Sequence, residues 1–251
     1  MRAQSARMRW ADVLFTQGFG TRRACEALLH AGRLRHAGRT IEDPHEEVET
    51  AEGMGFEVEG RAWPFHERAL VLLHKPPGYE CSQRPGASPS VMTLLPAPLR
   101  LRGKGGVQSV GRLDVDTTGA LLLTDDGPLL HRLTSPKHHV QKVYEASTKH
   151  AVDDEQIERL LGGVVLDDDP APVRAAAALR TGERSLQLVL TEGKYHQVKR
   201  MIAAVGNRCE ALHRSAIGEL ALPADLAPGQ WRWVSAYEQA RLLPRLDACP
   251  G

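Results

Sequence analysis

A polar loop that runs directly into a strongly apolar segment gives the chain its framework. The loop covers residues 111–119 with a glycine at each end, and the apolar segment 120–123 follows it. Loops that carry function are commonly held by rigid neighbours, so we predict a functional loop joined to a buried strand. Asp114 lies inside the loop, close to Arg112. Asp125 and Asp126 follow the strand and are predicted to cap the next helix.

The elements downstream predict an α+β fold. Alternation or short apolar runs indicate strands over 69–74, 140–148 and 185–191, and helices are predicted over 129–133, 153–161 and 196–205. Because strands outnumber helices and do not alternate regularly with them, we expect a mixed, mostly antiparallel sheet with flanking helices. Residues 83–106 contain four prolines and four glycines, which predicts an irregular loop that packs little.

The N-terminal segment has a charge pattern of its own. Residues 1–40 hold eight arginines against two acidic side chains, a net charge of +6, whereas residues 41–60 hold eight acidic residues and no lysine or arginine. Thr21 is the predicted N-cap of a helix over 22–31, which Gly32 ends, and 33–41 is predicted to form a hairpin turning at Ala37-Gly38. We therefore predict a basic module with an acidic linker over residues 1–66 and a second domain over 67–251.

Composition excludes several classes of function. The four cysteines, at 25, 81, 209 and 248, lack C-x-x-C spacing, so neither a zinc site nor a redox dithiol is predicted. No apolar run approaches the length of a membrane span, and the basic N-terminus lacks the apolar core of a secretory signal. The glycine-rich stretch 103–106 lacks the spacing of a phosphate-binding loop. We therefore expect a cytoplasmic protein without a metal or an organic cofactor.

Three distant segments combine cations with groups suited to chemistry. Arg112-Leu113-Asp114 joins a cation to a carboxylate. Lys142 and Tyr144, two residues apart on a strand, point to the same face. The segment 193–201 leads from a loop into a helix with several basic residues. If the three meet, the cleft suits a polyanion, and the tyrosine suits stacking on a base.

Four ordered motifs resemble those of the pseudouridine synthases. They are the central segment 111–127, the Lys75-Pro76-Pro77-Gly78 turn, Lys142-Val143-Tyr144, and the segment 192–201. Within that family the chain is most similar to the RsuA branch, of the RsuA/RluB type, which modifies 16S rRNA. The arginine-rich N-terminal module resembles the small alpha-L RNA-binding domain.

The resemblance implies isomerisation of uridine to pseudouridine in RNA. Asp114 corresponds to the catalytic carboxylate, which either attacks C1′ or removes the 2′ proton. Tyr144 would stack on the flipped base and help to remove the C5 proton. Lys199 corresponds to the basic residue that pairs with the aspartate, with Arg200 as a rival for that position. Asp116 is predicted to have a purely structural role in the loop.

The resemblance and the charge pattern together also predict RNA contacts. The residues concerned are Arg112, Arg22, Arg23, Lys75, Lys142, His196, Gln197 and Arg200. Lys75 has a second interpretation as a charge at a strand end, and His196 and Gln197 have a second one as residues that position their loop. We expect a monomer, and its expected partner is 16S rRNA or the assembling small ribosomal subunit.

Three alternatives remain at this stage. The substrate is 23S rRNA instead, or the chain is a ribosome-assembly factor that binds rRNA without catalysis, although it retains Asp114, Tyr144 and a basic helix residue. A carboxylate-based glycosidase would need a second acid at a suitable distance, and no such partner stands out in the sequence.

Overall fold

The computed structural model describes residues 6–103, 105–167 and 169–243, and over these the chain forms two compact units. The first unit contains the chain up to Ala69 together with residues 95–108 and 124–126, and the second contains 70–94, 109–123 and the chain from Gly127 onward. Within the described residues, no helix has both the length and the hydropathy needed to cross a membrane.

The described residues of the first unit form short strands and three helices. They are β1 (Ala6–Arg9), α1 (Trp10–Thr16), α2 (Arg22–His30), β2 (Leu34–His36), β3 (Arg39–Ile41), β4 (Glu47–Thr50), β5 (Gly55–Val58), β6 (Arg61–Pro64) and α3 (Ala97–Leu101). Strands pair in the order β3-β2-β5-β6, and β1 pairs with β4. The predicted start of α2 is confirmed, because the Thr21 hydroxyl accepts a hydrogen bond from the Ala24 amide. The hairpin turn at Ala37-Gly38 is confirmed as well.

The prediction that residues 83–106 form a loop that packs little is wrong. A 3-10 helix spans Val91–Leu94, and α3 follows with Leu99 fully buried. Proline at the beginning of α3 fits a helix start, since its fixed φ suits the first turn and its missing N–H would have no helical partner there. Gly106 has φ +75°, and a Cβ there would lie 2.2 Å from the backbone oxygen of Arg100, so only glycine allows this close return of the chain.

Arg102, just after α3, organises the interior of the first unit. Its side chain is 1% exposed, and its Nε lies 2.7 Å from Oδ2 of Asp125. It also donates to Oε1 of Gln17 at 2.7 Å and to the backbone oxygens of His66 and Glu67. Asp125 accepts from the Ala69 amide too. The expectation that Asp125 caps the following helix is therefore wrong, because both its oxygens bond within the first unit.

Over its described residues, the second unit is built on a large sheet with four α-helices. Its elements, with two strands that reach the boundary between the units, are β7 (Leu70–Lys75), β8 (Gln108–Ser109), β9 (Thr118–Thr124), α4 (Gly127–Thr134), β10 (Lys142–Thr148), α5 (Asp154–Gly162), β11 (Val164–Leu166), β12 (Asp169–Val173), β13 (Ala177–Gly182), β14 (Ser185–Leu190), α6 (Gln197–Ala204), β15 (Cys209–Ile217), β16 (Leu220–Ala221), β17 (Trp231–Trp233) and α7 (Ala236–Ala240). A second 3-10 helix covers Pro136–His138.

The sheet runs in the order β13-β14-β10-β15-β9-β7-β17. The pairs β13/β14, β14/β10, β10/β15 and β17/β7 are antiparallel, and β15 pairs with β9 in parallel. This confirms the predicted α+β fold with a mixed, mostly antiparallel sheet. At the parallel pair, Arg214 lies opposite Gly119, where φ is +110° and a Cβ would lie 2.2 Å from the Arg214 backbone oxygen. Glycine is required at 119 because a side chain would force the two strands apart.

Candidate active site

A buried lysine holds the loop that carries Asp114. Lys75, at the end of β7, is fully buried, and its Nζ donates to the backbone oxygens of Pro76 at 3.1 Å, Val115 at 3.1 Å and Thr117 at 2.8 Å. Val115 also accepts from the Gly78 amide at 2.7 Å. An ammonium group has three donors, and all three are used. Of the two interpretations of Lys75, the structure favours a charge at the strand end over an RNA contact, because the group is buried and binds the loop with all its donors.

The charge of Lys75 also contributes to the electrostatics of the site. Burial lowers the pKa of Lys75, while Cys81 and the carboxylates of Asp116 and Asp114 act in the opposite direction. The charge of Arg214 lowers it further. The charge of Lys75 is thus influenced both by the two carboxylates and by Arg214.

Asp114 lies between two side chains that come from the segment 196–199. Lys199, on the first turn of α6, places its Nζ 3.3 Å from Oδ2 of Asp114. The Nε2 atom of His196 lies 3.3 Å from Oδ1. The Asp114 side chain is about one quarter exposed, at 26%, so the carboxylate is held by its neighbours and still reaches the surface. Two segments more than eighty residues apart in sequence meet here.

Asp116 also contacts Lys199, a contact that sequence reasoning did not predict. Oδ1 of Asp116 lies 2.6 Å from Nζ of Lys199, closer than Oδ2 of Asp114 at 3.3 Å. The hydrogen bond from Lys199 lowers the pKa of Asp116. Burial opposes the charge of Lys199, but the hydrogen bond to Asp116 and the charge of Asp114 outweigh it and raise the pKa of Lys199. Lys199 is therefore a bridging cation shared by two carboxylates.

A tight loop before α6 positions the histidine. His196 has φ +48°, in the left-handed region, and its ring stacks on Tyr195 with centroids 3.8 Å apart. Gln197 is 4% exposed; its Oε1 accepts from the Lys194 amide at 2.8 Å and its Nε2 donates to Glu192 at 2.9 Å. Of the two roles considered for Gln197, the structure favours positioning the loop over contacting RNA, because both ends of its amide are used inside the loop.

Tyr144 lies in a second group of residues, around an arginine that sequence reasoning missed. Arg214 on β15 is 3% exposed, donates from Nε to the Ala120 oxygen at 2.8 Å, and has its Cζ 6.0 Å from the centroid of the Tyr144 ring. Burial, and then the charge of Arg214, lower the pKa of Lys142 to about 8, while Glu192 opposes them. Among the described residues, the buried Nη2 of Arg214 has no hydrogen-bond partner.

A signal for Arg214 existed in the sequence. An arginine within a strand-like, otherwise mostly apolar segment is unusual, since charged side chains are rarely buried unless paired. The pairing of β15 with β10 shifts register between Val143 and Tyr144, and such irregularities re-aim side chains next to active sites. Neither the shift nor the partner strand can be read from sequence.

Of the other predicted RNA contacts, Lys142 is half-buried and donates from Nζ to the Val140 backbone oxygen at 2.9 Å, whereas four arginines reach the surface. Arg112 is exposed, and Arg200 is half-buried and donates to the Tyr195 backbone oxygen at 3.1 Å. In the first unit Arg22 and Arg23 are exposed on α2. Arg22 pairs with Asp12, and its guanidinium lies 4.4 Å from the centroid of a phenylalanine ring. Over the residues the structure describes, no group of three or more His, Cys, Asp or Glu side chains is arranged to hold a metal ion.

These features define a class of protein. A sequence model of the RNA pseudouridylate synthase family matches residues 69–204, more than half of the chain. The match covers Asp114, Tyr144 and Lys199 together with the loops that position them. The chain belongs to the RNA pseudouridylate synthase family, and it is an isomerase.

The chain is also similar to individual members of this family. The ribosomal small subunit pseudouridine synthase A of Pasteurella multocida is 36% identical over 220 residues, covering 88% of this chain and 93% of that protein. The enzyme of the same name from Escherichia coli strain K12 is 40% identical over 178 residues, covering 71% and 75%. A crystal structure of a pseudouridylate synthase superposes with a TM-score of 0.66 at 31% identity, covering 94% of this chain and 99% of that one.

Proposed function

We propose that this protein converts a uridine of 16S rRNA to pseudouridine, with Asp114 as its catalytic carboxylate. The reaction breaks the C1′–N1 bond, rotates the uracil and joins C5 to C1′, so it needs neither a redox partner nor a group donor. The observation that carries the proposal is the position of Asp114 in a fixed loop, between His196 and Lys199. The substrate is proposed from the names of the relatives, which act on the small ribosomal subunit.

Each residue of the site has a proposed task. Asp114 acts on the ribose, and Lys199 holds its carboxylate in place. Because Asp116 shares Lys199, it keeps the ammonium group oriented when the substrate arrives. Tyr144 stacks on the flipped uracil, since an aromatic face binds any base. Removing a base from a stack costs a few kcal/mol, so a loop or an already distorted part of the RNA is the better target.

We propose that the N-terminal module covers residues 1–66 and the catalytic domain residues 67–251. The module would add RNA contacts to those of the catalytic domain. Its exposed arginines, such as Arg22 and Arg23, suit a phosphate backbone. The proposed partner is 16S rRNA or the assembling small ribosomal subunit. We further propose that the protein acts as a monomer in the cytoplasm. Deletion of the module should weaken rRNA binding and make its dependence on salt less steep. Equal affinity and an equal salt slope would contradict this part of the proposal.

Mapping of pseudouridine in both rRNAs tests the function directly. rRNA from cells that lack this protein would be compared with rRNA from the same cells after the gene is restored. We expect one pseudouridine in 16S rRNA to depend on the protein. A dependent site in 23S rRNA would redirect the proposal to that substrate, and the absence of any dependent site in either rRNA would contradict it.

A further inference from the structure

A tyrosine ring lies exposed at the edge of the site, one side chain away from Asp114. The Tyr195 side chain is 71% exposed, although it carries a large aromatic ring. Its ring stacks on the ring of His196 at 3.8 Å with an interplanar angle of 22°. His196 in turn lies 3.3 Å from Asp114. The three side chains form a series that leads from the carboxylate out to solvent.

The loop holds this ring in a fixed place. The left-handed φ of His196 turns the chain sharply, and Gln197 ties the loop to the amide of Lys194. Arg200 donates to the Tyr195 backbone oxygen at 3.1 Å. An aromatic ring that is fixed but mostly exposed gains little from burial in the free protein. Such a ring is well prepared to bind a planar partner, because little freedom is lost when the partner arrives.

We infer that Tyr195 is a stacking platform for a nucleobase next to the target uridine. The inference rests on the proposed function. If the target uracil stacks on Tyr144 and its ribose meets Asp114, then a ring separated from Asp114 by one imidazole is placed for the neighbouring nucleotide of the same strand. Every base has a flat π-face, so stacking suits this position whatever the flanking sequence.

The surrounding charge supports RNA as the occupant. Lys194 precedes Tyr195 directly, Arg200 donates to the Tyr195 backbone oxygen, and Arg112 is exposed on the loop that carries Asp114. These cations suit the phosphates that accompany a stacked nucleotide. A protein partner would instead be expected to bury apolar surface, and the side chains beside Tyr195 in this loop are polar or basic.

The test combines changes in the protein with changes in the RNA. The substrate is an oligonucleotide of 16S rRNA centred on the uridine found by mapping, and two matched oligonucleotides lack the base immediately 5′ or 3′ of it. Tyr195→Ala should raise KM on the intact substrate by about 5- to 150-fold, the loss typical of one base–aromatic stack, with kcat unchanged. Tyr195→Leu should lose as much, because it keeps size without a π-face, and Tyr195→Trp should retain affinity.

The same variants distinguish stacking from support of the loop. On one of the two abasic substrates, wild type should bind as weakly as Tyr195→Ala, and the variant should lose nothing further. The matched control is Tyr237→Ala, since Tyr237 is 69% exposed on α7, and it should leave KM unchanged. The inference is overturned if Tyr195→Ala lowers kcat with KM intact, or if neither missing base reduces the effect of the variant. Product formation by wild type on the intact RNA tests the proposed function separately.

Discussion

Replacing Lys75 with methionine separates a loop clamp from an RNA contact. Methionine fills a similar volume but donates no hydrogen bond. Of the three carbonyls that Lys75 serves, Val115 keeps the Gly78 amide as a donor, whereas Pro76 and Thr117 lose the donor that Lys75 supplies. Of these two bonds, only the one to Thr117 is fully buried. One unpaired buried carbonyl costs about 1–3 kcal/mol. Removing the buried charge offsets part of this cost, so we expect a net loss of about 1 kcal/mol in the free energy of unfolding.

The effect on catalysis should be larger than the effect on stability. Val115 follows Asp114 directly and, together with Thr117, flanks Asp116, so a freed carbonyl lets the loop that carries the proposed catalytic carboxylate shift. A displacement of about 1 Å costs on the order of 100-fold in rate. We therefore expect kcat of Lys75→Met to fall about 100-fold in single-turnover assays of pseudouridine formation, with little change in RNA affinity.

The binding measurement decides whether this reasoning holds. RNA affinity would be measured at several salt concentrations for wild type, Lys75→Met and the control Lys149→Met, which removes an exposed lysine. The reasoning is refuted if Lys75→Met weakens binding, reduces the salt slope by about one and leaves kcat unchanged. That result would identify Lys75 as a phosphate contact.

Two further predictions concern the site and its support, and a third concerns an ion pair at α7. Gly119→Ala should destabilise the fold by about 3 kcal/mol or more, because its Cβ would meet the backbone oxygen of Arg214 at 2.2 Å; denaturant unfolding within about 0.5 kcal/mol of wild type would contradict this. Asp116→Asn should lower kcat by less than about tenfold, since an exposed ion pair is worth at most about 1 kcal/mol, and complete inactivity would show that Lys199 needs both carboxylates. A hydrogen bond from Arg232 lowers the pKa of Glu238 to about 2. The ion pair therefore stabilises the fold above the ordinary carboxyl pKa, and this stabilisation is lost as the pH falls towards 2. Glu238→Gln should therefore be less stable than wild type by about 1 kcal/mol at pH 7, and the gap should close on acidification; a gap independent of pH would contradict the assignment.

Local patterns predicted the parts of the fold that depend on local chemistry. The cap at Thr21 and the turn at Ala37-Gly38 report interactions between near neighbours. Their partners lie within a few residues, so the sequence contains the whole signal. The prediction of a loop over 83–106 was wrong for the opposite reason. The helix in this segment is fixed by a buried arginine whose partners, Gln17 and Asp125, are distant in sequence.

The site divides in the same way. The resemblance of the motifs to a known family pointed to Asp114 and Lys199, and the fold places them 3.3 Å apart. The role of Lys75 depends on carbonyls forty residues away, so a lysine at a strand end resembled a surface contact. Arg214 depends on a register shift between paired strands. Neither environment has a local signature, because both arise only when distant segments pack together.

The most direct test of the central claim replaces Asp114 with asparagine, which keeps the shape of the side chain and removes its charge. Purified wild type and variant would each be incubated with 16S rRNA from cells lacking the protein, and pseudouridine would be measured at the mapped uridine. We predict that wild type forms the product and that Asp114→Asn forms none while it binds the RNA with the affinity and salt slope of wild type. Formation of pseudouridine by the variant at the wild-type rate would contradict the assignment of Asp114 as the catalytic carboxylate.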